Sequence, residues 1–359
     1  MTHAQPLPIF DGHNDALLRL WRHDPGDGST FLTGSGGGHL DLPRALAGGF
    51  AGGLFAAFVP NRHPAGYRPE DDLTITEAGW EVRPAGRVAH DYALRTAVAL
   101  LARLYRLEAA SAGRLCVART ARAVRECLDA GVLAAVAHFE GAEAIDRELE
   151  ALPVFYAAGL RSLGLVWSRP NAFGHGVPFQ FPHLPDTGPG LTAAGQALVR
   201  ACNQLGILID LAHLNERGFW DVARLSDAPL VASHTAAHAI CPMTRNLTDR
   251  QLDAIGASGG VVGVVFEPCA TRPDGNDDPD TPLEVIVRHV DYIAGRIGIA
   301  HVALGSDFDG ATVPRTLGDA AGLPRLIAAL RHHGYDHDAL RLLTHANWLR
   351  VLERTWRPE

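Results

Sequence analysis

Eight short runs of apolar, β-branched and alanine residues recur along this chain, separated by longer stretches with helical patterning. The runs fall at 9–13, 53–59, 133–139, 163–167, 207–211, 230–233, 260–266 and 302–305. Helical patterns span 73–109, 117–130, 191–205, 216–225, 249–257, 283–297, 323–333 and 336–356. Parallel strands need a crossover long enough to hold a helix, so this alternation predicts a parallel sheet. Eight repeats match a (β/α)8 TIM barrel, with a doubly wound open sheet as the alternative. Cap signals agree. Thr192 opens a run that stops at Gly206, Asn246 or Thr248 precedes Asp249, and Asp336 opens the last helix. A chain of 359 residues can fill one large barrel, and no low-complexity linker divides it, so a single catalytic domain over 1–359 is expected. The glycine-rich 34–38 lacks the spacing of a nucleotide loop and reads as a flexible connection. The proline-rich 180–189 reads as a surface excursion near the barrel mouth.

In a parallel barrel, functional groups gather at the C-terminal ends of the strands. The first run ends in His13-Asn14-Asp15. Residues two apart on a strand share a side, so His13 and Asp15 can hold one cation together. The third run ends at Glu140, the fifth at His213, the sixth at His234, and the eighth at Asp307 and Asp309. Two ligand sets result: His13, Asp15 and Glu140, then Glu140, His213 and His234. Nitrogen and oxygen donors without thiolate suit zinc first, then manganese or cobalt. Ions paired in this way sit about 3.5–4 Å apart. All 32 basic residues are arginine. The lack of lysine excludes Schiff-base chemistry, a P-loop lysine and a carbamylated-lysine bridge, and leaves Glu140 as the bridging group. Three alternatives stay open here. His138 lies two residues before Glu140, His238 lies close to His234, and Asp307 can serve as a third carboxylate ligand. Asp309 reads as a contact to the loop that follows it.

Composition narrows the partners. Net charge is −8 with no basic stripe, which excludes nucleic acid. No apolar run approaches the roughly 18 residues of a membrane span. The first residues lack a leader pattern and the last lack a lipid-anchor tail, so a cytoplasmic protein without a membrane partner is expected. Five scattered cysteines without C-x-x-C spacing argue against a zinc ribbon or a disulfide scaffold. Pairing of Cys241 with Cys269 is left open, and a reducing compartment argues against it.

At these residues the chain resembles the membrane dipeptidase (renal dipeptidase) family of amidohydrolase-type barrels. The motifs are Asp11-Gly12-His13-Asn14-Asp15, His39-Leu40-Asp41-Leu42-Pro43-Arg44, Glu140-Gly141 and Ile209-Asp210-Leu211-Ala212-His213. Ser233-His234, Thr244-Arg245-Asn246 and Gly305-Ser306-Asp307-Phe308-Asp309-Gly310 complete them in family order. The resemblance implies a two-zinc (β/α)8 barrel, usually a homodimer, that hydrolyses dipeptides and tolerates a C-terminal D-residue. It maps His13 and Asp15 to one zinc, His213 and His234 to the other, and Glu140 to the bridge. It assigns Arg245 to the substrate carboxylate and Asp307 to proton transfer. One departure stands out: where the mammalian-type family has a substrate-contacting histidine after strand four, this chain has Trp167, which shapes the pocket instead. His175 is the other histidine that could reach back from that loop.

The expected chemistry is metal-assisted hydrolysis by a hydroxide bridging both ions. Two alternatives are carried: another amidohydrolase acting on a cyclic amide or lactone, and a metal-binding scaffold that has lost catalysis. The H-x-D start, rather than H-x-H, disfavours the first, and the presence of both Asp307 and Arg245 disfavours the second.

Overall fold

The computed structural model describes residues 7–35, 37–63 and 67–357. The leader and tail positions 1–6 and 358–359, and Gly36 of the glycine loop, lie outside them. All eight expected strands are present: β1 (Ile9–Asn14), β2 (Phe50–Phe58), β3 (Leu133–Glu140), β4 (Leu160–Gly164), β5 (Leu208–Asp210), β6 (Val231–Thr235), β7 (Val261–Val264) and β8 (Val302–Leu304). Each pairs in parallel with the next. A parallel bridge from Asn14 to Phe308 brings β1 against the segment after β8 and nearly closes the barrel.

β3 shows how pattern becomes position. Successive side chains on a strand face opposite ways. Leu133, Ala135, Ala137 and Phe139 join the layer packed under the surrounding helices. Ala134 and Val136 face the interior, where Phe10, Leu54, Leu208, Val231, Val261 and Ala303 meet them. Most of these sit near the N-terminal ends of their strands. Trp348, from the helix Asn347–Thr355, fills this layer and is fully buried. His138 and Glu140 continue the same interior row toward the C-terminal mouth.

Several boundaries differ from expectation. The fourth strand lies earlier than 163–167, so Trp167 sits in the loop beyond it. The pattern at 73–109 is helical only over His90–Ala110, and Leu73–Ile75 and Trp80–Val82 form an antiparallel hairpin instead. Thr74 and Ile75 are β-branched, and Gly79 and Pro84 interrupt any helix there. The hairpin pairs with Gln180–Phe181, so the proline-rich excursion begins as the third strand of a small sheet. Leu115–Val117 is a strand beside β3, and the following helix starts only at Ala121. The short helices Ala16–His23, Leu42–Gly48 and Ala151–Ala157 carry no periodic signal in the sequence, because each offers too few turns.

The expected caps form at Thr192, Gly206 and Asp336. Thr248 closes a capping box with Gln251, whereas Asn246 is no cap: its amide donates to the carbonyls of Cys241 and Ala270. All five cysteines are free, and Cys241 donates its thiol to the Cys269 carbonyl. Among the described residues, no helix is long and apolar enough to cross a membrane.

Candidate metal centre and adjoining cleft

The five candidate ligands converge at the barrel mouth and are buried. Glu140 stands between them. Its Oε2 lies 3.6 Å from His13 Nε2. Its Oε1 lies 2.9 Å from His213 Nε2 and 3.8 Å from His234 Nε2. Asp15 Oδ2 completes the first group at 3.4 Å from His13 Nε2. Asp15 does not arrive there through the strand pleat. It lies past the end of β1 as the cap residue of the helix Ala16–His23, after a register shift between Asp11 and Asn14. The junction between strand and helix, rather than strand alternation, brings the pair together.

The second group is aligned by neighbouring hydroxyls. Ser233 Oγ donates its one hydrogen to Asp210 Oδ2 at 2.5 Å, so it accepts from His234 Nδ1 at 2.8 Å. His234 Nε2 is therefore a free lone pair, the tautomer a metal needs. Ser168 Oγ lies 2.8 Å from His213 Nδ1. The Nε2 atoms of His213 and His234 come within 3.1 Å of one another, and Asp15 Oδ1 is buried without a partner. Converging lone pairs and an unpartnered carboxylate oxygen are what a divalent cation would satisfy, so these donors fit the metal chemistry expected of them.

The electrostatics point the same way. Burial pushes the His213 and His234 imidazoles well below the ordinary histidine range, and the positive charges of Arg245 and His13 add to the effect at both. Burial works against charge on His13 too, but Glu140, Asp15 and Asp307 together hold it up at about 10. Burial also raises the Glu140 carboxyl well above its usual range, and Asp15 and Asp307 add to the effect. The centre is a buried excess of carboxylate.

Asp307 Oδ1 lies 4.0 Å from His13 Nε2, with φ of 59°. His213 also has a positive φ, of 66°. Side chains rarely adopt this conformation, and such residues concentrate at functional sites. Burial raises Asp307 to about 6, opposed by His13 and reinforced by Asp15. Arg245 donates one guanidinium nitrogen to the His234 carbonyl at 3.2 Å, while its buried Nη1 has no partner. Asp309 does not contact the loop after it. Its carboxylate accepts from Arg19 Nε, on the helix Ala16–His23, at 2.9 Å and from the His39 backbone at 2.5 Å.

The rival histidines go elsewhere. His138 meets Ser162 Oγ at 2.9 Å, one interior layer below Glu140, and belongs to neither candidate ligand group. His238 turns to the His183 carbonyl. His175 stays on its loop, bridged to Pro170 through the backbone. Among residues not singled out as individual candidates are Asp11, Ser168, Asp210, Ser233 and Glu267. Asp11 accepts from both the backbone and hydroxyl of Ser306 and so anchors the turn that carries Asp307. Glu267, after β7, has its carboxyl pushed up to about 7 by burial and by Asp307, with Arg245 opposing. Asp11, Asp210 and Ser233 stand inside the quoted motifs, which was their available signal.

Trp167 packs against Phe58 and Phe179, with ring centroids 5.1 and 5.6 Å away, and lies 5.8 Å from the His213 ring. The three aromatic residues line a cleft of about 770 Å³ together with Ser168, Asn61, Arg62, Tyr67 and Arg83.

The chain is similar to known proteins in sequence and in fold. A family model described as membrane dipeptidase (peptidase family M19) matches residues 3–357. A metallo peptidase from Rhodobacter sphaeroides, solved with a phosphinate mimic of the dipeptide L-Ala-D-Ala, is 50% identical. The match covers 98% of this chain and 100% of that one, with a TM-score of 0.93. The solved dipeptidase AC is 51% identical over 98% of this chain and 99% of its own, also at a TM-score of 0.93. An uncharacterised Klebsiella pneumoniae protein from the pqqA 5′ region is 55% identical over 256 residues, 71% of this chain and 94% of its own.

Proposed function

The chain belongs to the membrane dipeptidase family, peptidase family M19, and on that premise we propose that it hydrolyses the peptide bond of dipeptides, including those with a C-terminal D-residue, using two zinc ions. One observation carries the reading. The two oxygens of Glu140 face different histidines: Oε2 lies nearest His13, and Oε1 nearest His213 and His234. A carboxylate divided in this way suits a bridge between two ions. His13, Asp15 and Glu140 would hold one, and Glu140, His213 and His234 the other. The D-residue rests on the Rhodobacter sphaeroides relative, whose bound ligand mimics L-Ala-D-Ala.

When bound, the ions supply positive charge that polarises the scissile carbonyl and acidifies a solvent molecule. Arg245 binds the substrate's free carboxylate through its unpartnered Nη1, and its planar fork matches a carboxylate better than a lysine would. Asp307, held up at about 6, accepts the proton of the attacking water and returns it to the leaving amine nitrogen. Burial of both groups strengthens these interactions by excluding water.

The whole chain is proposed to act as one catalytic domain. A reducing, cytoplasmic setting suits five free cysteines, and the homodimer rests on the family resemblance. The test is metal analysis together with a library of L,L and L,D dipeptides, each with a free or amidated C-terminus. We expect two ions per chain and turnover of the free acids only. Turnover of lactones or cyclic amides in place of dipeptides would favour the other amidohydrolase chemistry. Bound metal without any turnover would favour a lapsed scaffold. Equal turnover of amidated substrates would remove Arg245 from its role.

A further inference from the structure

We infer that the cleft lined by Phe58, Trp167 and Phe179 receives the side chain of the substrate's N-terminal residue, and that the preferred side chain is a large aromatic one. This rests on the dipeptide reading above and extends it to specificity.

The first argument is position around the ring. Arg245 follows β6 and Asp307 follows β8, whereas Phe58 ends β2 and Trp167 follows β4. The barrel strands run in sequence order, so these two sectors lie across the mouth from one another. Glu140 ends β3 and His213 follows β5, while His234 lies on β6 beside the Arg245 sector, and the Glu140 carboxylate reaches both histidines. A dipeptide whose carboxylate is anchored at Arg245 and whose scissile bond lies over Glu140 has to direct its N-terminal residue toward the β2–β4 sector. The cleft opens there. Ser168 both lines the cleft and contacts His213 Nδ1, and the Trp167 and Phe179 rings lie 5.8 and 6.2 Å from the His213 ring. The cleft is therefore continuous with the metal centre.

The second argument is chemical. Trp167 packs on Phe58 and Phe179 at 52° and 62°, so the three rings form one contiguous aromatic wall to which a further ring can add edge-to-face. They are also held in place. The Arg169 guanidinium lies 5.3 Å from the Trp167 ring centroid and 5.4 Å from that of Phe58. Arg169 is itself fully buried and bonds Glu143 at 2.8 Å and the Val59 carbonyl at 2.7 Å. A wall fixed in advance loses little side-chain entropy when an aromatic ring docks. On the rim, Arg83 pairs with Asp72 at 3.2 Å and Arg62 stacks 4.2 Å over Tyr92, so these guanidinium groups already have partners. Arg22 lines the cleft as well, but so do the carboxylates of Asp71 and Asp72, and an acidic side chain meets charge of both signs there. The volume of about 770 Å³ holds a large side chain with room to spare.

The experiment compares kcat/KM of the metal-loaded enzyme for Ala-Ala, Leu-Ala, Phe-Ala, Glu-Ala and the reversed Ala-Phe. Equilibrium binding of phosphinate mimics of Phe-Ala and Ala-Ala provides a second readout. We expect Phe-Ala to exceed Ala-Ala by about 10-fold or more in both measurements, and Ala-Phe to show no such gain. Trp167→Leu and Phe179→Leu should each reduce the Phe-Ala to Ala-Ala ratio about five-fold or more, whatever happens to their common rate. The leucine replacements keep the cleft apolar and guard against misfolding. Equal values for Phe-Ala and Ala-Ala overturn the inference, as does a preference that follows the C-terminal residue or favours Glu-Ala. Ratios unchanged in both variants remove the aromatic walls from specificity. If no dipeptide is cleaved or its mimic bound, the dipeptide reading itself fails, and this inference with it.

Discussion

A serine hydroxyl has one hydrogen, and at Ser233 that hydrogen goes to Asp210, leaving the oxygen to orient His234. Ser233→Ala should fold normally and lose about 10- to 100-fold in metal affinity, measured by competition with a chelator. Unchanged affinity would mean the imidazole keeps its tautomer without this contact. Asp307 tests the chemistry itself. Asp307→Asn should retain both ions and lose about 100-fold or more in kcat, since general acid–base catalysis contributes roughly 10²–10⁴-fold. Loss of metal in that variant would instead make Asp307 a ligand, an option its 4.0 Å approach to His13 allows. At this scale much was legible. Glu140, His213 and His234 stand out because each follows an apolar run that needs no knowledge of the rest of the chain. Ser168 did not, because it meets His213 from 45 residues away across a loop whose path no local pattern encodes. Asp15 reaches His13 from just beyond the strand, as the residue that precedes the helix Ala16–His23, and not through the strand pleat.

Elements carry these side chains into register and hold them there. The helix Glu284–Ile297 provides an example through His289, which is fully buried. Its Nδ1 accepts from the Ala237 backbone at 3.0 Å, and its Nε2 donates to the Thr271 carbonyl at 2.8 Å. Only the neutral imidazole can do both. One ring thereby ties the loop after β6, which follows His234, to the short helix Pro268–Thr271 after β7. Burial lowers His289 to about 4, with the Thr271 contact partly opposing. In the unfolded chain it titrates near 6.5, so between these values the unfolded state binds the extra proton. Its stabilising contribution, of order 3 kcal/mol, is complete above about pH 6.5 and is lost as pH falls toward 4. The stability of His289→Gln should therefore fall less steeply over that window in urea titrations. An identical slope in both proteins would show that other groups control the acid limb. Element types were legible where a run was long and uninterrupted, as at 193–205. They were misjudged at 73–109, where a hairpin and a helix share one apolar-rich stretch and strand pairing with Gln180–Phe181 decides between them.

At the scale of the whole molecule, the barrel separates stability from chemistry along its axis. The N-terminal halves of the strands meet in an apolar layer filled by Trp348, and the C-terminal mouth collects the polar centre. Trp348 also donates its indole N–H to the Leu304 carbonyl at 3.1 Å. Trp348→Ala should cost about 3–5 kcal/mol, read as a lower urea midpoint, because the surrounding strands cannot collapse into the space left behind. A shift below about 1 kcal/mol would mean the layer repacks.

The sequence by itself determined the alternation of strand and helix, and with it the barrel. Side-chain periodicity and crossover length are local properties of a chain, so they can be read along it. It also determined that His13, Glu140, His213, His234 and Asp307 lie at strand ends, because those positions are counted from the same apolar runs. Only the tertiary structure decided where the candidates lie: His234 beside Glu140, His238 turned to the His183 carbonyl, and His138 one layer below Glu140. It also decided which way each oxygen of Glu140 points and which aromatic residues enclose the cleft. These outcomes depend on the closure of the ring and the paths of its loops, which bring together residues from distant parts of the chain. Such contacts are set by the packing of the whole fold, and no short segment holds the information.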